Sequence, residues 1–431
     1  MTQYGRTREI KIRDSIRQGG VLSVIMYALL MDEISKETKK ENIGTEIWNE
    51  GQRINTLLWM DDVALITDNE KDMKTLLKIT EEIAGKYRIE FGQEEFKFML
   101  INPTRKKVQI DEMKIQGMTI QRTENYRYLG YTLNSKNNLK THLSDLKKKT
   151  EGAYQTILAI MGNQNFSNME METAWKLIKT CLIPIITYAG ETWHPTKQES
   201  KEINQLLDNI LKRLLMTPQS TPREALYLET GLIDCMTQIN MNRLNAYNRL
   251  IREHNNLMKN LIQSDSPTKW KTETDKILQS VNIDPNELIT TSKHKARNQI
   301  NMNTRKKFLE DLKTTGANKT KIKNMLDYSE YTTLSHKEYI FKLNRLEAST
   351  IFKTKCRMLD VKNNYKNKYR DNLCRKCGNS EETQEHILQE CIEIHTTNEL
   401  ITEPDEIYGI SITLARNAAH KIQKIMDKLQ T

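Results

Sequence analysis

Two groups of residues in this 431-residue chain have the types and the spacing to do chemistry. The first is Cys374-x2-Cys377-x8-His386-x4-Cys391. Three thiolates and an imidazole satisfy a tetrahedral Zn2+, and a loop this short buries too little apolar surface to fold unaided. Gly378, directly after the second cysteine, suits a tight turn. His395, four residues beyond Cys391, competes with His386 as the fourth ligand on spacing alone. The second group is Asp61-Asp62, set between the apolar runs 57–60 and 63–66. Buried carboxylates so close repel each other and lose hydration unless a cation neutralises them. Hard Mg2+ prefers oxygen ligands, and two such ions clamping phosphate oxygens carry out nucleotidyl transfer. Taken alone, the pair fits a polar turn closing a hairpin better than a metal site.

The rest of the chain must position these groups. Lys and Arg outnumber Asp and Glu by 66 to 56, a formal charge of +10. That excess suits a polyanionic partner through counterion release, though an acidic protein partner or solubility accounts for it too. With only 16 Gly and 8 Pro, the composition favours helices over turn-rich β architecture. No apolar run approaches the roughly 18 residues that span a bilayer, and residues 1–13 have no signal-peptide core. The expected location is nuclear or cytoplasmic, not secreted, with no membrane partner. Six cysteines in so long a chain do not suggest a disulfide framework, and three of them within residues 374–391 point to a metal.

Periodicity divides the chain. Ile10 and Ile12 alternate with charges as on a strand, and residues 21–34 repeat apolar positions at helical spacing. Residues 57–66 read as a hairpin with the two acids at its tip. Asp68 can cap a following helix whose apolar face holds Met73, Leu76, Leu77, Ile83 and Ala84. Short strands are expected near 108–110, 118–120 and 128–133. Beyond Leu139 the pattern turns helical, over 140–160, 170–188 and 198–216, with a break at 217–223. Residues 265–342 are polar and read as a loosely packed helical connector. A last unit runs from 351 to 401, and a short amphipathic helix ends the chain. The fold class is α+β.

Residues 16–23, Ile-Arg-Gln-Gly-Gly-Val-Leu-Ser, lead into the first helix, and Trp59-Met60-Asp61-Asp62 follows some forty residues later. Tyr87-Arg88-Ile89-Glu90-Phe91-Gly92 and Tyr126-Arg127-Tyr128-Leu129-Gly130-Tyr131 come next, then residues 184–193, 218–231 and 352–391. This ordered series resembles the later palm motifs, thumb and C-terminal CCHC knuckle of non-LTR retrotransposon reverse transcriptases, which are RNA-directed DNA polymerases. The resemblance implies a partial palm of antiparallel strands and helices over 1–137 and a thumb-like helical domain over 138–230. A helical connector over 231–350, a zinc knuckle over 351–400 that takes His386 rather than His395 as its imidazole ligand, and a helical tail over 401–431 would follow. It further implies that Gln18, Gly19 and Gly20 line the nucleotide and template side of an active site. Asp61 and Asp62 would hold Mg2+, and Tyr128, Leu129 and Gly130 would grip the primer end. Paired glycines allow close backbone approach there, although an ordinary strand-to-helix turn explains them as well.

Four departures qualify the expected activity. The family's third carboxylate lies on a strand upstream of the Gln-Gly-Gly segment, but only fifteen residues precede Ile16, and Asp14 is misplaced for that role. Trp59-Met60 replaces the usual aromatic–alanine pair, Glu95 stands where a lysine is usual, and Val24 stands where a proline is expected. The expectation is a reverse transcriptase segment that binds RNA and DNA as template–primer but is inactive alone, because a two-ion site lacking one carboxylate is undermined. A second chain supplying the missing palm and fingers would complete it. The alternative is a non-enzymatic nucleic-acid-binding protein working through thumb and knuckle.

Two cationic groups suit phosphate contact: Lys147, Lys148 and Lys149, and, beside the knuckle, Lys366, Lys368, Arg370, Arg375 and Lys376 with Tyr365 and Tyr369 interleaved. Solvated helix and loop faces explain both groups as well. Trp175 and Trp193 are expected in the core, and Cys181 and Cys235 in inert apolar settings. Pro404-Asp405 reads as a turn or helix start rather than a nuclease motif.

Overall fold

The computed structural model describes residues 20–47, 51, 53–92, 96–101, 110, 112–161, 170–252, 262, 268–327, 331–365, 368–395 and 411–430. The chain divides into two compact units, Met1–Thr141 and His142–Thr431. Gln18, Gly19, Asp14, Glu95, Lys366 and Pro404-Asp405 lie outside the described residues, as do Ile10, Ile12 and most of the strand expected near 108–110.

The first unit opens with helix α1 (Val21–Lys40). It runs past the apolar repeat because its second half is laced by ion pairs one turn apart, Lys36–Asp32 at 3.2 Å and Lys40–Glu37 at 2.6 Å. Met31 and Ile34 bury against Ile83 of the later helix α2 (Glu70–Tyr87). Strands β1 (Thr45–Glu46) and β2 (Arg53–Ile54) pair antiparallel. So do β3 (Thr56–Trp59) and β4 (Asp62–Leu65), the expected acid-tipped hairpin. Thr38 ties α1 to this hairpin: its Oγ1 lies 2.8 Å from Thr56 Oγ1, and its carbonyl accepts from Asn55 Nδ2 at 2.8 Å. The α2 cap is Asn69 rather than Asp68, since the Asn69 side chain accepts from the Asp72 N–H.

Under α2, Leu77 packs on Met113, Ile115 and Ile120. These belong to a run of short strands: β5 (Lys97–Phe98), β6 (Lys114–Ile115), β7 (Met118–Thr119) and β8 (Gln121–Arg122). β6 pairs β7 antiparallel, and β5 pairs β8 in parallel. The single strand expected over 128–133 is instead a hairpin of β9 (Asn125–Tyr128) and β10 (Tyr131–Asn134), with Tyr128 opposite Tyr131. Leu129 and Gly130 both adopt positive φ, 46° and 83°. That two-residue turn matches the right-handed twist of the strands and folds the chain back on itself.

The second unit begins with α3 (Lys140–Ile160). Helices α4 (Met171–Leu177) and α5 (Ile183–Thr187) are joined by one wider π-type turn over Ile178–Leu182. Pro184 has no N–H to give, and the wider turn absorbs that loss within the helix expected over 170–188. α6 (Lys197–Leu214) starts on a Thr196–Glu199 capping box, and α7 (Arg223–Thr230) and α8 (Cys235–Leu250) follow. Trp175 and Trp193 are fully buried, and Trp175 Nε1 donates to the Ile340 carbonyl at 2.8 Å. Cys235 is buried, but Cys181 is exposed, because the wide turn sends Ile178 and Leu182 inward and Cys181 outward.

The stretch expected to be loosely packed has its own core. α9 (Lys269–Ser280), α10 (Pro285–Thr290) and α11 (Lys293–Gly316) contribute Leu278, Leu288, Ala296 and Ile300, which bury with Leu244 and Tyr247 of α8. These apolar residues are few and widely spaced in sequence, so only tertiary packing gathers them. α12 (Glu338–Lys342) and α13 (Arg345–Lys355) come next. Arg345 donates to the carbonyls of Leu214 and Arg213 at 2.8 and 2.6 Å, closing the C-terminal end of α6. α14 (Ile412–Gln430) buries Ala415, Ala418, Ala419, Ile422, Ile425 and Leu429, and His420 Nε2 lies 2.9 Å from Glu347 of α13. No helix among the described residues is long and apolar enough to cross a membrane.

Candidate active site and metal centre

Between α13 and α14 the chain forms a small loop closed by backbone bonds. The Cys374 N–H donates to the Ser380 carbonyl at 2.8 Å, and the Gly378 N–H donates to the Cys374 carbonyl at 3.0 Å. Gly378 sits at φ 65°, where a side chain would strain the turn. His386 heads a wide turn, His386–Glu390, and the Cys391 N–H donates back to its carbonyl at 2.9 Å. As a result the ligand atoms of Cys374, Cys377, His386 and Cys391 all lie within 4.8 Å of one another.

The four ligands fit a tetrahedral ion. A Zn–S distance of about 2.3 Å and Zn–N of about 2.0 Å require S···S near 3.8 Å and S···N near 3.5 Å. Cys374 and Cys391 Sγ are 3.8 Å apart, and Cys377 Sγ is 3.4 Å from His386 Nε2. On its far side, His386 Nδ1 lies 3.5 Å from Glu390 and makes no hydrogen bond among the described residues. His395 turns instead to the Ile387 carbonyl, 2.9 Å from its Nε2, so the structure groups His386 rather than His395 with the thiols. The backbone N–H of Asn379, followed by that of Ser380, holds the Cys377 thiol down to about 6, while burial and then Cys374 push Cys391 up to about 12.

Sequence reasoning missed Glu382. It is fully buried and accepts from the Arg375 N–H at 2.8 Å, from the Arg375 guanidinium at 2.6 Å and from the Lys362 N–H at 2.8 Å. Burial opposes its charge, yet the bonds from Arg375 and then Lys362 keep it below the usual carboxylate range. It ties the loop between Cys377 and His386 to the backbone beside Cys374. A lone Glu in a polar loop carries no pattern that marks it for burial.

The acid pair stands at the tip of the β3–β4 hairpin, where Trp59 pairs with Asp62 and Met60 and Asp61 form the turn. Met60 takes φ 55°, uncommon for a residue with a side chain. Both aspartates are exposed, against the expectation of a buried pair, so their hydration does not by itself demand a cation. Two tyrosines lie within electrostatic reach. Burial and then the charge of Asp61 raise Tyr27 on α1, and burial and then the charge of Asp62 raise Tyr128 at the end of β9. Tyr128 is thus within electrostatic range of Asp62, while Leu129 and Gly130 form the turn that follows it. Gly20 stands in extended conformation at the head of α1. Among the described residues no third His, Cys, Asp or Glu joins Asp61 and Asp62 in a metal-sized cluster.

Residues 2–133 match the family model described as "Reverse transcriptase (RNA-dependent DNA polymerase)". Over that stretch the chain is similar to reverse transcriptases. The match takes in Gln18-Gly19-Gly20, the Asp61-Asp62 tip and the Tyr128-Leu129-Gly130 turn. No curated protein matches the chain.

The remaining cations are dispersed. Lys147, Lys148 and Lys149 are exposed on α3, and Lys147 Nζ lies 3.9 Å from Glu202. Lys368, Arg370 and Lys376 are exposed beside the metal cluster. The Tyr369 ring has Lys362, Lys368 and Arg375 at 5.8, 5.9 and 5.9 Å from its centroid. The Arg375 guanidinium is taken up by Glu382 and the Asp360 carbonyl.

Proposed function

We propose that this chain is the later palm, thumb, connector and zinc knuckle of a non-LTR-retrotransposon-type reverse transcriptase, binding RNA and DNA as template–primer. The observation that carries this reading is the Asp61-Asp62 tip of the β3–β4 hairpin, inside the segment similar to reverse transcriptases. Asp61 and Asp62 would hold Mg2+, which neutralises phosphate oxygens and supports in-line nucleotidyl transfer. Tyr128, Leu129 and Gly130 would lie along the primer end, and Gln18, Gly19 and Gly20 along the template and incoming nucleotide. Cys374, Cys377, His386 and Cys391 would hold Zn2+ as a structural ion. Lys147, Lys148 and Lys149 and the cations flanking the knuckle would meet phosphates.

The reading extends to inactivity of the chain alone. Among the described residues two carboxylates stand at the tip, where a two-ion clamp uses three, and a partner chain bringing palm and fingers would complete it. Primer extension on an RNA template with Mg2+ tests this. The expected result is template–primer binding without extension. Extension that disappears in Asp61→Ala would overturn the inactivity, and absence of any template–primer binding would overturn the whole reading. The exposure of both aspartates favours one alternative, a non-enzymatic nucleic-acid-binding protein using thumb and knuckle. In that case Asp61→Ala would alter neither binding nor complementation by a palm-and-fingers chain.

A further inference from the structure

Charge in this chain is not spread evenly. Residues 288–326 hold ten Lys and Arg against two acids, Glu310 and Asp311, a net charge of +8 where the whole chain carries +10. Most of this stretch is helix α11. Elsewhere the helices offset their lysines one turn away, as in Lys36–Asp32, Lys74–Glu70, Lys176–Glu172 and Lys271–Asp275. The first half of α11 does not. No Asp or Glu occurs from residue 288 to 309, and Lys293 repels Arg297 across one turn.

Packing decides which of these cations face water. Ala296, Ile300, Thr304, Phe308 and Leu312 bury one side of α11. Arg305 is drawn to the Gly231 carbonyl, Lys307 to Asp311, and Lys319 to Glu224. Lys293, Lys295, Arg297 and Lys306 remain exposed, and among the described residues none of the four is ion-paired. Lys295, Met302 and Lys306 are seven and four residues apart, so they share the face opposite the buried stripe. Met302 is 65% exposed there, an apolar contact amid the cations. Half-buried Lys313, seven residues beyond Lys306, continues this face, whereas Lys293 and Arg297 lie around the helix from it; from Lys295 to Lys313 the track is about 27 Å long at 1.5 Å per residue, enough for several successive phosphates.

We propose that the outer face of α11 binds the phosphate backbone of an RNA or DNA strand, a site separate from the knuckle and from Lys147–Lys149. It rests on the nucleic-acid-binding part of the reading above and uses none of its polymerase chemistry. An unpaired row of cations is held in place by core packing, and counterion release at the phosphates would reward it.

The test is the salt dependence of binding between the full chain and a short, labelled single-stranded RNA, with single-stranded DNA in a parallel arm. In a Lys295→Gln/Lys306→Gln/Lys313→Gln variant, the slope of log affinity against log salt should become shallower by about 2, close to 0.7 for each phosphate left without its cation. Lys295→Arg/Lys306→Arg should keep the wild-type slope. A wild-type slope in the triple variant, with circular dichroism unchanged, overturns this inference and leaves the nucleic-acid reading standing. No salt-dependent binding by the wild-type chain overturns both. Equal competition by polyglutamate and by RNA of matched charge assigns the face to acidic proteins and also overturns it. If the triple variant loses helicity, Lys295→Gln and Lys306→Gln singly decide the matter, each expected to lower the slope by about 0.7.

Discussion

At the scale of single residues, the candidate metal centre rests on more than its four Cys and His side chains. Glu382 holds the backbone beside Cys374 through Arg375 and Lys362. Groups that orient ligands typically contribute about 10–100-fold to metal affinity. Glu382→Ala should therefore weaken zinc binding by roughly that factor, while stoichiometry at saturation stays at one ion per chain. Competition with a chromophoric chelator reads the first and elemental analysis the second. Cys374→Ser should abolish stoichiometric zinc altogether; unchanged zinc content in that variant would remove the metal centre from the reading.

At the scale of elements, α3 and α1 each carry a measurable consequence. His142 on α3 is buried edge-on to Trp193, with ring centroids 5.0 Å apart. Burial, and then the charge of Lys149, lowers it from 6.5 to about 4. As pH falls, the unfolded chain takes up this proton before the folded one does. The stability supplied by neutral His142 is complete above about 6.5 and is lost progressively toward about 4, a change of roughly 2–3 kcal/mol. Denaturant titrations across that range should show a shallower pH slope in His142→Leu. On α1, Leu22, Ile25, Met26 and Leu29 share one face and are each more than half exposed, and Trp59 of β3 is 63% exposed. Apolar surface of this kind drives self-association. Size-exclusion chromatography should show oligomers that Ile25→Lys/Leu29→Lys reduces; a monodisperse wild-type monomer would refute this.

At the scale of the molecule, the second unit is held together across long sequence separations by buried polar nodes. Glu229 of α7 is fully buried and accepts from the hydroxyls of Tyr331 and Tyr339, with the almost fully buried Lys355 of α13 3.6 Å away. Removing the carboxylate would leave an uncompensated buried cation, which typically costs about 3–5 kcal/mol. Glu229→Ala should destabilise the unit by about that much in chemical denaturation, and Glu229→Ala/Lys355→Met should recover part of the loss. A loss under about 1 kcal/mol in the single variant would show that the node is not a stability determinant. Through this node and Arg345, segments that read as thumb, connector and knuckle flank pack together within the second unit.

Local sequence determined the features that depend on neighbours in the chain. The 57–66 hairpin, the helices over 140–160 and 198–216, and the four-ligand spacing of the metal cluster were legible because alternation, helical periodicity and short ligand separations are properties of contiguous residues. Ordered motifs likewise carry the likeness to reverse transcriptases within the sequence itself. Tertiary structure decided what depends on distant partners. It grouped His386 rather than His395 with the thiols, as the likeness to the family already favoured, because a wide turn aims one imidazole at the thiols and the other at a carbonyl. It buried Glu382 and Glu229, whose partners lie in other segments. It left Asp61 and Asp62 exposed, although their apolar flanks suggested burial, because the tip of a two-stranded hairpin projects into water. It also gathered the scattered apolar residues of 269–316 onto α8, which leaves the cations of α11 facing outward.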